Sequence, residues 1–195
     1  VFSSTSTANV MRYIEIQNLS IQASNSDLNI DYCKFSHDES SCNSFMFYNY
    51  YFDPCSITLS NCTFIGSGHN YFIGSNTLIN LTMTNCILRN FSSGISLSRD
   101  GSMLTMNNCE ISEVGEYNGI SVSSESNLEI HNSNIYNCGL YTIFNSSSYD
   151  QDATSNWWGT TDTTEIESSI LDYLDNSNYG TVDYASHLTS EATIT

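Results

Sequence analysis

One phrase recurs along this chain: apolar, polar, apolar, polar, Asn, small or Cys, polar, apolar. Leu81-Thr82-Met83-Thr84-Asn85-Cys86-Ile87-Leu88 is a full instance, and others start at Ile14, Leu28, Ile57, Leu104 and Leu128. From Ile57 onward the starts recur every 23 or 24 residues. A period of that length marks stacked supersecondary units, each too small to bury its apolar face alone. Within a phrase the alternation has period two, which places Leu81 and Met83 on one face of a strand and Thr82 and Thr84 on the other. Asn then breaks the alternation. It tolerates the left-handed backbone region better than most residues, so it turns a corner in one step. After the corner, Cys86 and Leu88 point inward again.

A third apolar stretch follows in each unit, at Phe45 to Tyr48, Tyr71 to Gly74, Ile95 to Ser98, Ile120 to Ser123 and Thr142 to Asn145. Three strands per 23 or 24 residues describe an all-β, right-handed parallel β-helix of about six coils. Coils stack at the ordinary strand spacing, so six make a rod roughly 30 Å long. This fold explains an unusual composition: Ser (34), Thr (18) and Asn (23) are abundant because outward positions need no apolar side chain. Asn18, Asn61, Asn85, Asn108 and Asn132 are expected to form a ladder at one corner, with Tyr32 standing in for Asn. Cys33, Cys62, Cys86 and Cys109 form a second, inward ladder of small hydrophobes. The long step from Leu28 to Ile57 predicts a loop excursion over about 36–56. We therefore divide the chain into a β-helix over 1–152 and a C-terminal cap over 153–195.

The cap carries Ala153-Thr154-Ser155-Asn156-Trp157-Trp158-Gly159-Thr160, then Asp162, Ile166, Ile170, Asp172-Tyr173, Asp175, Gly180 and Val182-Asp183-Tyr184. The coils resemble the right-handed parallel β-helix repeat family. The cap is similar to the NWWGT-type terminus of secreted archaeal and bacterial surface proteins. The resemblance implies export and an adhesin-like, S-layer-like or carbohydrate-facing role. Physically, a stack of coils leaves raw sheet edges at its ends, and Trp157 and Trp158 supply an apolar lid. Ile166, Ile170 and Leu174 recur at spacing four, which predicts a helix over about 163–175. Alternating Ala192 and Ile194 predict a terminal strand.

Charge and chemistry narrow the function. Four Lys and Arg against 21 Asp and Glu give a net charge of −17, which excludes nucleic acid as a partner. No apolar run is long enough to insert in a membrane. Asp150, Asp152 and Asp162 are the candidate ligands for Ca²⁺ or another divalent cation, and no cofactor is required. Five sequons occur; Asn90, Asn145 and Asn80 are the glycosylation candidates, while Asn18 and Asn61 are expected to be buried in the ladder. Cys42 and Cys55, read as lying in the excursion, are a candidate disulfide. Tyr48, Tyr50 and Tyr51 are candidates for stacking on sugars. The only cations, Arg12, Lys34, Arg89 and Arg99, are spread over several coils, and no paired-carboxylate or nucleophile motif stands out. The expectation is a non-catalytic extracellular or cell-surface structural protein. Its expected partners are copies of itself, joined by strand addition at the coil ends into a filament or layer, or other surface proteins. A carbohydrate-binding or polysaccharide-cleaving β-helix is the alternative.

Overall fold

Strands appear wherever the apolar alternation runs, and they stack coil on coil. The computed structural model describes residues 9–18, 21–22, 27–38, 45–49, 54–75 and 78–194. The first coil holds β1 (Asn9–Arg12), β2 (Glu15–Gln17) and β3 (Ile21–Gln22), the second β4 (Leu28–Asp31), β5 (Lys34–Ser36) and β6 (Phe45–Asn49). The third has β7 (Cys55–Ser60), β8 (Thr63–Ile65) and β9 (Tyr71–Ser75), the fourth β10 (Ile79–Thr84), β11 (Ile87–Arg89) and β12 (Ser93–Leu97). The fifth has β13 (Met103–Asn107), β14 (Glu110–Val114) and β15 (Ile120–Val122), the sixth β16 (Asn127–His131), β17 (Asn134–Cys138) and β18 (Ile143–Asn145). A shortened seventh turn builds the cap from β19 (Gln151–Asp152), helix α1 (Thr163–Ser168) and β20 (Ile170–Leu171), closed by β21 (Val182–Asp183).

Every described pairing is parallel, for example Leu81 beside Ile57 and Leu104, and each strand pairs with its counterpart one coil away. The result is three parallel sheets of eight, six and seven strands wrapped around one core, a parallel β-helix. Burial alternates strictly along β7 and β10. The inward columns run Leu28, Ile57, Leu81, Leu104, Leu128 in the first sheet and Phe35, Phe64, Leu88, Ile111, Ile135 in the second.

The corner between the first and second sheets is a column of left-handed residues: Tyr13, Tyr32, Asn61, Asn85, Asn108, Asn132, Ser155 and Ser186, with φ between 51° and 61°. Asn18 does not belong to it. Asn9 pairs with Leu28 and Met11 with Ile30, so the first coil begins five residues before Ile14. Ile14-Glu15-Ile16-Gln17 runs into the second sheet, and Asn18 turns the next corner, beside Ser36. The misalignment has a physical cause. Asn9 occupies an inward register position and Val10, outward, is 57% exposed, so the real first strand lacks the expected pattern while the next one imitates it.

The cap is corrected in three places. The helix ends at Ser168, not near 175, because Ile170 leaves it to pair with Ile143 and extend the third sheet. Ile166 and Ile170 are buried, whereas Leu174 is 66% exposed, so the spacing of four spans two kinds of element. Asp162 caps α1 through its carboxylate, which accepts from Thr164 N at 2.8 Å. Trp158, not both tryptophans, enters the core, where its ring meets Tyr184 edge-on; Trp157 is half-buried and bridges Asn134 through its backbone. The closing strand is β21, stacked on β19. Residues 189–194 form no strand; instead Ala192 N donates to Asn134 Oδ1 at 2.8 Å and Asn134 Nδ2 donates to Ala192 O at 2.9 Å.

Candidate functional site

Two side-chain ladders follow from the corner. On its outer side, Asn61 donates to Asp31 at 2.9 Å, Asn85 to Asn61 at 3.0 Å and Asn108 to Asn85 at 2.8 Å. Asn132 steps aside and donates to Asn107 at 3.0 Å. On its inner side, Cys33 N donates to Cys62 Sγ at 3.4 Å, Cys86 N to Cys109 Sγ at 3.3 Å, Cys109 N to Ser133 Oγ at 3.0 Å and Ser133 N to Asn156 Oδ1 at 2.9 Å. Each ladder thiol returns a bond to the carbonyl two residues back, as Cys62 does to Ser60 at 3.0 Å. The thiols are structural acceptors, not a reactive set. The hydrogen bond with Cys86, then burial, pushes the Cys62 thiol far up; the bond with Cys109 leads in pushing Cys86 up to about 12.

A group whose pKa is raised by folding stabilises the native state below its unfolded value and loses that contribution as pH rises. Unfolded Cys ionises near 8.5, so stability should fall as pH climbs past about 8.5–9. Cys86→Ser should flatten that alkaline limb in urea titrations. At neutral pH the ladder thiols should react with a disulfide reagent only after denaturation.

The candidate sites from the sequence are scattered. Asp150 accepts from Thr181 N and Oγ1, both at 2.8 Å, and these bonds hold its carboxyl below the usual range. Asp152 accepts from Thr154 and faces His131 at 3.7 Å. Asp162 is spent on the α1 cap. The three carboxylates are therefore not brought together, and no group of three or more His, Cys, Asp or Glu among the described residues is arranged to hold a metal. Asn145 is corrected as a glycosylation candidate: it is buried and its Nδ2 donates to Tyr149 O at 3.1 Å and Gly180 O at 2.9 Å, so a glycan there would have to be buried and would take one of the two N–H donors, stranding one of those carbonyls. Asn90 is exposed but its Nδ2 donates to Gly66 O at 2.9 Å. Asn80 lies on β10 with an exposed side chain. Asn18 is exposed, contrary to expectation, and exchanges bonds with Asp38.

Cys55 is the buried first residue of β7 rather than part of the excursion, and Cys42 lies outside the described residues. Tyr48 belongs to β6, but its side chain, like Tyr50 and Tyr51 entirely, lies outside the described residues.

Sequence reasoning missed the pair that register creates on the second sheet. Arg89 makes two 2.6 Å contacts with Glu110, and Ser112 Oγ donates to the same carboxylate at 2.6 Å. Burial opposes the Glu110 charge, yet Arg89, Ser112 and Tyr136 outweigh it and hold the carboxyl below its ordinary range. This cluster is saturated by its own partners, which suits a structural clasp across coils.

Two further surface features lie on the first coils and on the cap. At the first corner Tyr13 and Tyr32 stack with centroids 5.2 Å apart and planes 12° apart, and they are 76% and 53% exposed. On the cap a cavity of about 350 Å³ lies between α1, β20 and the following turn, lined by Glu167, Ile170, Leu174, Asp175 and Tyr184 among others. Charge follows the same axis. Residues 1–99 hold all four Lys and Arg and six of the 21 Asp and Glu; residues 100–195 hold the other fifteen carboxylates and no Lys or Arg. The stacking of the coils turns this asymmetry of sequence into a gradient along the rod.

The chain belongs to the right-handed parallel β-helix family: the family described as "Right handed beta helix region" matches residues 3–157. The match ends at Trp157, before the rest of the cap. No curated protein and no solved structure matches the chain.

Proposed function

We propose that this chain is a non-catalytic structural rod of an extracellular or cell-surface assembly, built by end-to-end association of identical copies. The axial charge gradient carries the reading: fifteen carboxylates with no Lys or Arg occupy one half, and every Lys and Arg occupies the other. Two acidic halves, each with fifteen uncompensated carboxylates, repel most strongly, so contact between them is disfavoured, and the half that holds the four Lys and Arg against six carboxylates is the one that meets a neighbour at least electrostatic cost. A head-to-tail contact does not close on itself and therefore propagates. The family's fold supports a structural role, and the NWWGT-type cap, similar to that of secreted surface proteins, supports the location.

The described cap narrows how copies join. Two of its three sheets end in two-residue strands, and the remaining sheet ends in β17, whose first residue Asn134 already holds the segment 189–194, so side-chain contacts at the cap replace strand addition there. Divalent cations would gather diffusely on the acidic half rather than in a built site. Asn80, in its exposed sequon, is the position this reading favours for a glycan. Sedimentation velocity across a hundredfold range of concentration tests the proposal. The expected result is a ladder of species whose frictional ratio rises with mass. A single monomeric species at every concentration overturns it.

A further inference from the structure

We propose that the first three coils carry a binding groove for a neutral, extended glycan, with the Tyr13–Tyr32 pair as its stacking platform. The site is independent of how copies associate.

The pair is a conformational anomaly. Beyond Tyr32, the corner column is filled by Asn, which tolerates the left-handed region, or by Ser; Tyr13 and Tyr32 enter it at φ 55° and 51°. That conformation is costly for an L-residue, and Asn lessens the cost. Two large rings are nonetheless held there, 5.2 Å apart with planes 12° apart, and 76% and 53% exposed, where Asn would extend the ladder. Strain of this kind gathers at functional sites rather than on idle surface.

Register builds a groove beside the rings. Tyr13, Tyr32 and Asn61, on successive coils, form one edge. Glu15, Lys34 and Thr63, neighbours in register on the second sheet, form the other. Ile14 and the buried Cys33 lie between the edges. The groove encloses about 390 Å³, within the roughly 300–1,000 Å³ of small-ligand clefts. Its three coils span roughly 10 Å along the rod.

The lining selects the ligand. Exposed aromatic rings accept the C–H faces of a sugar, whose hydroxyls then need hydrogen-bonding groups close by. The facing edge supplies them. Lys34 Nζ uses one of its three donors on Glu15, at 2.8 Å, and Glu15 keeps a second oxygen. Thr63 Oγ1 and both phenol hydroxyls have no hydrogen-bond partner among the described residues. Charge argues for a neutral sugar. Lys34 is paired with Glu15, and Arg12, next to Tyr13, with Asp31 at 3.5 Å. An acidic glycan would find both cations taken and would be repelled by the net charge of −17. Spacing argues for an extended chain. Successive coils rise by about 4.8 Å, close to the length that one hexose adds to a β-linked glycan, so successive sugars meet successive coils.

Titration calorimetry of the full chain with cellotetraose tests this, with maltotetraose as a curved comparison and a galacturonate tetramer as an acidic one. Cellotetraose should bind, and bind more tightly than either comparison. Tyr13→Asn/Tyr32→Asn removes the rings while suiting the left-handed corner, and should weaken binding about tenfold or more with circular dichroism unchanged. Tyr13→Ser, the residue type at corner positions 155 and 186, removes the more exposed ring alone and should also weaken it. Tyr13→Phe/Tyr32→Phe keeps the rings and should lose less than the Asn pair. No binding of cellotetraose at millimolar concentration, equal binding of either comparison, or undiminished binding by the Asn pair overturns the site. A Phe pair as weak as the Asn pair overturns the stacking role. End-to-end association stands or falls separately, on sedimentation.

Discussion

Phe64→Ala should lower the free energy of unfolding by about 3–5 kcal/mol, among the largest effects of any single truncation in this rod. Phe64 is wholly buried on β8 and touches three other rings: stacked on Phe35 at 5.1 Å and edge-on to Phe47 at 5.6 Å and Phe72 at 5.1 Å. These rings belong to the second and third coils, so the cavity left by alanine falls between coils and cannot be filled by one side chain moving. In a stack where each unit contacts only its neighbours, a loss at one interface weakens the whole column. Urea unfolding should show a lower midpoint with an unchanged slope if two-state behaviour holds. A midpoint shift of under ~1 kcal/mol would mean that Phe64 is not the keystone its contacts make it.

Asn85→Val is the second large effect. Asn85 holds φ at 54°, donates to Asn61 at 3.0 Å and accepts from Asn108 at 2.8 Å. Valine adds a backbone cost of about 1–2 kcal/mol in the left-handed region, and more for a branched side chain. It also strands two half-buried amide groups, each worth about 1–3 kcal/mol when left unpaired. Together these should remove about 3 kcal/mol or more of stability. Asn85→Gly separates the two causes, because glycine accepts the corner but not the ladder. The glycine variant should recover the backbone share alone. Equal losses in both variants would assign the whole effect to the ladder.

The regular coils were legible in the sequence for a simple reason. From Ile57 to Ile135 the inward positions are filled by large apolar residues and the corner by Asn, so pattern and register coincide. The first coil was not legible because Asn9 stands at an inward register position and the alternation of Ile14 to Gln17 belongs to another sheet. The cap helix was overextended because Ile166 and Ile170 satisfy a helical spacing while the second of them is recruited to a sheet edge. Side-chain partnership is the part that period and composition do not encode. Asn145 reads as an open sequon until Tyr149 and Gly180 are seen to claim its amide, and Asp150, Asp152 and Asp162 read as a cluster until each is seen with its own donor. The Arg89–Glu110 clasp and the features of the first coils and the cap depend on which coil lies against which, and so emerge only from the fold.

Electron microscopy of the full chain at increasing concentration tests end-to-end association most directly. The account predicts particles of constant width whose lengths are whole multiples of one rod. Rods of one length at every concentration, or particles that grow in width as copies join side by side, would contradict it.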